Sequence, residues 1–242
     1  MRSHDLPLKR PRWQGANLSR NPFGELTRSE RAALAVVEIE AVLKFIRSPP
    51  QPPAASDGAS PDSHSHTMRP KDVRPNCAYQ IIGDCGRGKT TRLLAIEARV
   101  ENACYVYLPE DGPCPSIPDS SLLLIDEAQR LPRAIRRQVF QSGRALVLAT
   151  HSDLSRPLRM YGYDVHSERI GLKLSPERLA EILNRRIRAS RRDDELPTPS
   201  VTTSTAEKLI RRFGTNVRAI EGYLYDIVQS QVDDHGKMRF ID

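Results

Sequence analysis

The nine residues from 83 to 91, GDCGRGKTT, decide the fold of this chain. Two glycines enclose four residues, and a lysine and two threonines follow at once, which matches the pattern G-x-x-x-x-G-K-[ST]. A short β-prone run, CAYQIIG, comes before the stretch, and a helix-prone run, TTRLLAIEARVE, closes it. Because strand and helix flank the glycines in this order, we interpret the stretch as a phosphate-binding loop (P-loop) and not as an incidental glycine-rich turn.

The residue types of the loop suit phosphate chemistry. Glycines let backbone N–H groups turn inward around phosphate oxygens, and the next helix directs the positive end of its dipole at the same charge. We expect Lys89 to reach the β- and γ-phosphates, Thr90 to offer its hydroxyl to Mg²⁺, and Thr91 to lie near the α-phosphate. Arg87 either contacts phosphate or points to solvent. The predicted nucleotide-binding residues are Gly83, Asp84, Cys85, Gly86, Arg87, Gly88, Lys89, Thr90 and Thr91.

A second motif, LLLIDE at residues 122–127, is an apolar run that ends in two carboxylates. Asp126, at the tip of a buried strand beside a P-loop, is expected to hold Mg²⁺. Glu127 is placed to orient and deprotonate an attacking water. The alternative is an exposed acidic pair that caps the following helix. Together the two motifs predict a nucleoside triphosphatase that binds ATP and Mg²⁺, and Glu127 favours hydrolysis over transfer to a small molecule.

A third apolar run, ALVLATHSD, also ends in polar residues: Thr150, His151, Ser152 and Asp153. One of them is expected at the γ-phosphate or the attacking water, unless the group only caps the strand end.

Strands that alternate with helices predict an α/β fold, a P-loop NTPase parallel sheet with helices on both faces, followed by a small three-helix lid. Residues 27–48 are predicted as one helix, with a capping box at Thr27 and Glu30. The predicted divisions are an N-terminal segment and helix that pack on the core (1–47), a flexible Pro/Ser-rich insertion (48–75), the ATPase core (76–174) and the helical lid (175–242).

Composition limits the partners and the compartment. The 242 residues carry a net charge of +7, and only 38% of them are hydrophobic. The four cysteines lack zinc-like spacing, and the longest apolar run is too short to cross a bilayer, so we expect a cytoplasmic protein without membrane insertion. The stretch NRRIRASRR, residues 184–192, is either a DNA-binding stripe or the solvated end of a helix.

The P-loop, LLLIDEAQRL, LVLATHSDL and the trailing helices together resemble the AAA+ ATPases, and most of all bacterial helper ATPases of the general-secretion and transposition type. NPFGEL, residues 21–26, is similar to their Asn-Pro-Phe element, and DEAQ, residues 126–129, to their Asp-Glu-Ala-Gln. HSDL, residues 151–154, stands where they carry a Gln-Pro-Glu-Leu-like stretch. TNVRAIEGYLYDI resembles the sensor-2 helix of bacterial replication initiators. The resemblance covers residues 17–47 and 76–232.

The resemblance implies roles for further residues. His151 occupies the sensor-1 position, where the family usually has asparagine or another small polar residue. Arg218 matches sensor 2 and would reach the γ-phosphate, unless it is a solvent-facing helix arginine. Phe23 would pack near the adenine, unless it only anchors the N-terminal segment. The loop DGPCPSIPDS is too short and too proline-rich for the family's helix between the second and third strands. An arginine finger in trans would require a homo-oligomer, and the candidates are Arg156, Arg159 and Arg169.

The leading hypothesis is an ATP-hydrolysing switch in which ATP binds between core and lid and changes the contact with a protein or DNA partner. A second hypothesis is a nucleotide-binding regulatory module with negligible turnover. A small-molecule kinase is disfavoured by the Asp-Glu pair and the lid. An ABC transporter ATPase is excluded because no LSGGQ-like signature precedes LLLIDE.

Overall fold

The computed structural model describes residues 16–47 and 72–231, and the chain divides into two compact units. Among the described residues, the sheet unit contains 31–47 and 72–172, and the helical unit contains 16–30 and 173–231. The predicted N-terminal segment, residues 1–47, is thus shared between the two units. The predicted insertion, residues 48–75, lies outside the described residues except from residue 72 onward.

The sheet unit contains five parallel strands in the order β2-β3-β4-β1-β5. Their bounds are β1 Cys77–Ile82, β2 Ala103–Tyr107, β3 Leu122–Asp126, β4 Ala145–Thr150 and β5 Asp164–Arg169. This parallel sheet, with the P-loop after its first strand, confirms the predicted α/β fold class. No helix or strand forms between β2 and β3, as the short proline-rich loop predicts.

Five helices precede or connect the strands. They are α1 Arg28–Ala33, which spans the boundary between the units, α2 Glu40–Ile46, α3 Lys89–Glu97, α4 Arg133–Gln141 and α5 Ser155–Met160. Alternate strand residues face opposite sides of the sheet, so Tyr79, Leu124 and Val147 join a core with α2 and α3. Leu123 and Leu146 point the other way and join a core with α4 and α5. The two cores explain why β1, β3 and β4 are mostly apolar and completely buried.

The predicted helix over residues 27–48 is wrong in its middle. Helix α1 begins with the predicted capping box, in which Thr27 N donates to Glu30 Oε2 over 2.8 Å and Glu30 N donates to Thr27 Oγ1 over 3.3 Å. Residues 34–39 are not helical, and α2 begins at Glu40. The interruption contains Val36 and Ile39, which are buried and β-branched, and β-branched side chains lose rotamer freedom in a helix.

The helical unit packs three helices around one apolar core: α6 Pro176–Ala189, α7 Thr203–Phe213 and α8 Val217–Gln231. Ser175 caps α6 by accepting from Arg178 N over 3.2 Å. Leu18 and Phe23 of the N-terminal segment belong to the same core.

Arg186 secures this N-terminal segment. Only 7% of the residue is exposed, and its side chain forms an ion pair with Glu221 and donates to the carbonyls of Pro22 and Gly24. Several acceptors share the buried guanidinium charge, which offsets its loss of hydration. The stretch of residues 184–192 was interpreted either as a DNA-binding stripe or as the solvated end of a helix, and the side chain of Arg186 fits neither because it is enclosed within the helical unit.

The two ends of the predicted insertion lie side by side. Arg47 and Val73 form an antiparallel bridge, and Arg74 N donates to Ile46 O over 2.8 Å. A short connection can therefore span the gap without moving α2 or β1.

We expect the sheet unit to tolerate replacement of residues 49–70 by a short Gly/Ser linker, because loop length costs little closure entropy. The midpoint of thermal unfolding should stay within about 4 °C of that of the unaltered protein. A variant that keeps residues 49–70 in shuffled order separates the effect of length from that of sequence. Loss of cooperative unfolding in the linker variant alone would contradict the prediction.

Candidate nucleotide-binding site

The P-loop follows β1 directly and curves at the carboxyl end of that strand. Gly88 adopts φ +86° as the residue before α3, a conformation that costs glycine little. Gly83 lies against β5, where an added Cβ would approach Ile170 O and Ile170 Cγ1 at 3.0 Å. Side chains at these two positions would distort the loop, which explains why the pattern begins and ends with glycine.

Lys89 is the buried cation of the described site, with 5% of the residue exposed. Its Nζ donates to Gly83 O over 2.6 Å and to Asp84 O over 3.0 Å, and lies 3.2 Å from His151 Nε2. Burial lowers the pKa of Lys89, while the negative charges of Glu127 and Asp126 act in the opposite direction. The ammonium group is therefore held inside the loop, where a phosphate anion would favour its charged form.

Thr90 and Asp126 meet although they lie 36 positions apart, because α3 and β3 share one core on the same face of the sheet. Thr90 Oγ1 donates to Asp126 Oδ2 over 2.7 Å, and Tyr105 OH donates to the same oxygen over 2.9 Å. A hydroxyl and a carboxylate at this separation suit Mg²⁺, which takes one or two protein oxygens and completes its shell with water and phosphate. The donor set thus fits the ion that the motifs imply.

Glu127 leaves the strand in a left-handed conformation, with φ +60°, and leads into a single 3-10 turn at Ala128–Arg130. For a non-glycine residue this conformation is strained, and it turns the carboxylate toward the loop side of the sheet. Glu127 Oε2 accepts from Gln129 Nε2 over 2.6 Å and lies 3.3 Å from His151 Nε2. Glu127, the predicted base, and His151, the predicted sensor, are therefore in direct contact.

Gln129 joins these two residues. Its amide nitrogen donates to Glu127, and its amide oxygen accepts from His151 N over 3.2 Å. One side chain thus fixes the carboxylate after β3 relative to the backbone after β4.

The other polar residues after β4 form a structural turn. Thr150 Oγ1 donates to Ser152 O over 2.9 Å and accepts from Ser152 N over 3.1 Å. Asp153 accepts from Ser155 N over 2.8 Å. Thr150, Ser152 and Asp153 thus take part in strand-end capping, and His151 is the member of this group that lies beside Lys89.

The remaining loop residues differ in exposure. Asp84 and Cys85 are exposed, and Thr91 is half-buried. The stem of Arg87 packs against Gly171, where an added Cβ would lie 2.5 Å from Arg87 Cγ. Arg87 therefore has a packing role on the side of the loop next to β5.

Two predicted residues belong to the helical unit. Phe23 is buried in the core of that unit, and Arg218 is exposed in the first turn of α8. Their proposed contacts with adenine and with the γ-phosphate stay predictions. The three finger candidates are all exposed: Arg156 and Arg159 on α5, and Arg169 at the end of β5.

The sequence assigned no role to two residues of the site, namely Tyr105 and Gln129, although Gln129 ends the DEAQ element. Gln129 lies two residues after the acidic pair, so proximity to the motif could have indicated it. Tyr105 sits in β2 among other aromatic residues, and only the pairing of β2 with β3 brings its hydroxyl to Asp126.

Within residues 16–47 and 72–231, no three His, Cys, Asp or Glu side chains form a group that could hold a metal ion. A magnesium site made of Thr90, Asp126 and phosphate oxygens needs no such group. Over the same ranges, no helix has the length and apolarity needed to cross a membrane.

No protein-family model matches the sequence, and no curated protein matches it either. Among solved structures, the Thermotoga maritima RuvB Holliday junction branch migration motor is 19% identical, with a TM-score of 0.48 over 69% of this chain and 58% of that chain. A DNA replication initiation factor is 16% identical, with a TM-score of 0.42 over 65% of this chain and 56% of that chain. This chain thus spans little more than half of each. At these identities and TM-scores the similarities do not identify a family.

We expect Gln129→Ala to slow ATP hydrolysis by about tenfold, because a loosely held base loses its orientation toward water. Nucleotide affinity should stay within about twofold, since Gln129 contacts neither Lys89 nor Thr90. The measurements are steady-state phosphate release and a titration with a fluorescent nucleotide. Gln138→Ala, an exposed glutamine of α4, is the matched control. Equal losses in affinity and turnover would contradict a positioning role.

Proposed function

We propose that this chain is an ATP-binding and ATP-hydrolysing molecular switch of the AAA+ type that acts on a protein or DNA partner. The hydrogen bond of 2.7 Å between Thr90 and Asp126 carries the proposal. It joins the hydroxyl of the glycine-rich loop to the first carboxylate of the acidic strand end, as a nucleotide–magnesium site requires.

The chain supplies each function that phosphate binding needs. Backbone N–H groups of the loop and the amino end of α3 attract the phosphates. Lys89 contributes a full charge from within the loop, and exchanging its carbonyl partners for phosphate oxygens gives it stronger acceptors. Thr90 and Asp126 would hold Mg²⁺, which when bound neutralises charge on the β- and γ-phosphates.

Hydrolysis would depend on Glu127. Its carboxylate would take a proton from the attacking water, and Gln129 would keep it pointing at that water. His151, between Glu127 and Lys89, would contact the γ-phosphate or the water. The neutral histidine has one acceptor nitrogen and one donor nitrogen, so Nε2 can accept from Lys89 or donate to Glu127, but not both at once. A γ-phosphate that draws Lys89 away would release His151 toward Glu127.

The switch itself would use the segment that leaves the sheet unit. Ile170 and Gly171 touch the P-loop at Gly83 and at Arg87, and the boundary with the helical unit follows at Leu172. A shift of the loop on nucleotide binding would therefore reach the connection to the helical unit directly. Arg218, as a sensor of the γ-phosphate, would add a second link between nucleotide and helical unit.

A nucleotide-binding regulatory module with negligible turnover is the second candidate. The observation that favours it is the engagement of Glu127 by both Gln129 and His151, because a carboxylate held by neighbours is less available to water. Hydrolysis would be favoured if a second copy of the chain inserted an arginine finger, for which the candidates are Arg156, Arg159 and Arg169. Measured ATPase activity of the unaltered protein, alone and with DNA, distinguishes the two candidates.

Lys89→Ala should weaken ATP binding by about 100-fold or more, because it removes the one charge buried within the loop. Isothermal titration with ATP and Mg²⁺ measures the effect. Lys44→Ala, at an exposed position on α2, should bind ATP like the unaltered protein. Unchanged ATP affinity in a folded Lys89→Ala variant would remove the basis of the P-loop assignment.

Glu127→Gln should keep ATP affinity and slow hydrolysis by about 100-fold to 10,000-fold, because the amide retains the shape of the side chain without its basicity. Single-turnover hydrolysis, measured beside nucleotide binding, separates the two effects. Glu101→Gln, at an exposed position before β2, is the control. Turnover equal to that of the unaltered protein would show that Glu127 is not the base.

A further inference from the structure

Two neighbouring helices of the sheet unit carry arginines and no acidic side chain. Helix α4 has the sequence RAIRRQVFQ, and α5 has the sequence SRPLRM. We call the outer side of these helices the α4–α5 surface, and its arginines are Arg133, Arg136, Arg137, Arg156 and Arg159.

Within the described part of the chain, the side chains of these arginines form no polar contact that would stabilise the fold. None of the five forms an ion pair or a side-chain hydrogen bond with another described residue, whereas the two arginines that flank α4 in sequence, Arg130 and Arg144, do. Arg130 pairs with Glu110 over 3.0 Å, and Arg144 pairs with Asp119 over 3.1 Å. Four of the five are exposed, and Arg136 is half-buried.

The two helices lie side by side on one face of the sheet. Val139 and Phe140 of α4 share a core with Leu158 of α5. The ring of Phe140 lies 5.9 Å from that of Tyr161, the residue that follows α5. Both helices begin at the edge of the sheet that carries the P-loop, since each follows the carboxyl end of a parallel strand. Their arginines therefore form one surface.

We infer that the α4–α5 surface binds the phosphate backbone of duplex DNA. Arg133 and Arg137 are one turn apart, about 6 Å along α4. Arg156 and Arg159 form a second row on α5. Two rows of exposed guanidinium groups match a partner with a dense, regular line of negative charge, which a DNA duplex presents along both strands. Tyr161, which is 38% exposed, adds a hydrogen-bonding group beside the rows.

The arginine-rich stretch at residues 184–192 has fewer arginines available to a partner than the α4–α5 surface has. Arg186 is enclosed, Arg185 pairs with Glu181, and Arg191 donates to Thr198 over 2.9 Å. Arg188 and Arg192 are its exposed members. Exposed arginines without a partner among the described residues are therefore more numerous on the α4–α5 surface than in this stretch.

The inference names the DNA partner left open in the proposed function, and it can be tested apart from hydrolysis. A fluorescein-labelled 30-base-pair duplex of arbitrary sequence is titrated with the full chain over a range of salt concentrations, with and without ATP. Arg133→Ala/Arg137→Ala should bind at least about tenfold more weakly and reduce the salt slope by about 2, one for each lost phosphate contact. Arg156→Ala/Arg159→Ala should act in the same direction. Arg188→Ala/Arg192→Ala is the matched control and should bind like the unaltered protein.

Thermal unfolding and titration with a fluorescent nucleotide show that each variant is folded and whether its nucleotide site is intact. If the proposed nucleotide site is wrong, the unaltered protein will bind ATP weakly. The DNA titration without ATP would still test the DNA inference in that case. The inference is overturned if the unaltered protein binds no duplex in either condition, or if the Arg133/Arg137 variant binds like the unaltered protein. It is also overturned if the control loses as much affinity as that variant, or if a polyglutamate chain competes with the duplex as well as unlabelled DNA does.

Discussion

The buried ammonium group of Lys89 is the constraint on which the sheet unit depends. A cation with so little exposed surface loses most of its hydration, and the loss must be offset by acceptors and negative charge. The loop provides two carbonyl oxygens, and the negative charges come from Asp126 at the end of β3 and Glu127 directly after it. These groups come from separate parts of the chain, so the loop, α3 and the end of β3 must keep their relative positions. The same arrangement would let phosphate oxygens replace the carbonyls, which relates the stability of the loop to its proposed ligand.

Two of the supporting contacts act across strands. Tyr105 reaches Asp126 from β2, and Gln129 connects Glu127 with the backbone at His151. Parallel pairing places the ends of these strands at one edge, where short polar side chains can meet. The proposed base is thus held by a residue from its own turn and lies beside the residue that would sense the γ-phosphate. Because of this connection, a movement of the backbone at the end of β4 would shift the proposed base.

Arginine serves opposite purposes in the two units. Arg186 is enclosed by Glu221 and two carbonyls, so its charge stabilises the attachment of the N-terminal segment. Arg133 and Arg137 are exposed, and no partner for either occurs among the described residues. Composition alone does not separate these roles, because both groups of arginines lie on helices. The position of each arginine relative to a core separates them, and only exposed groups can neutralise phosphates of a partner.

The sequence by itself determined the P-loop, the acidic strand end, the alternation of strands and helices and the small helical unit. These features are local, since glycine spacing, apolar runs and helix caps act over a few residues. The tertiary structure decided the roles of Tyr105 and Gln129, the enclosure of Arg186 and the interruption between α1 and α2. Each of these depends on which strands pair and which faces are covered, and the contacts join residues that are distant in the chain. In residues 34–39, burial of Ile39 in the core beside the sheet prevailed over a helical pattern that the sequence alone favoured.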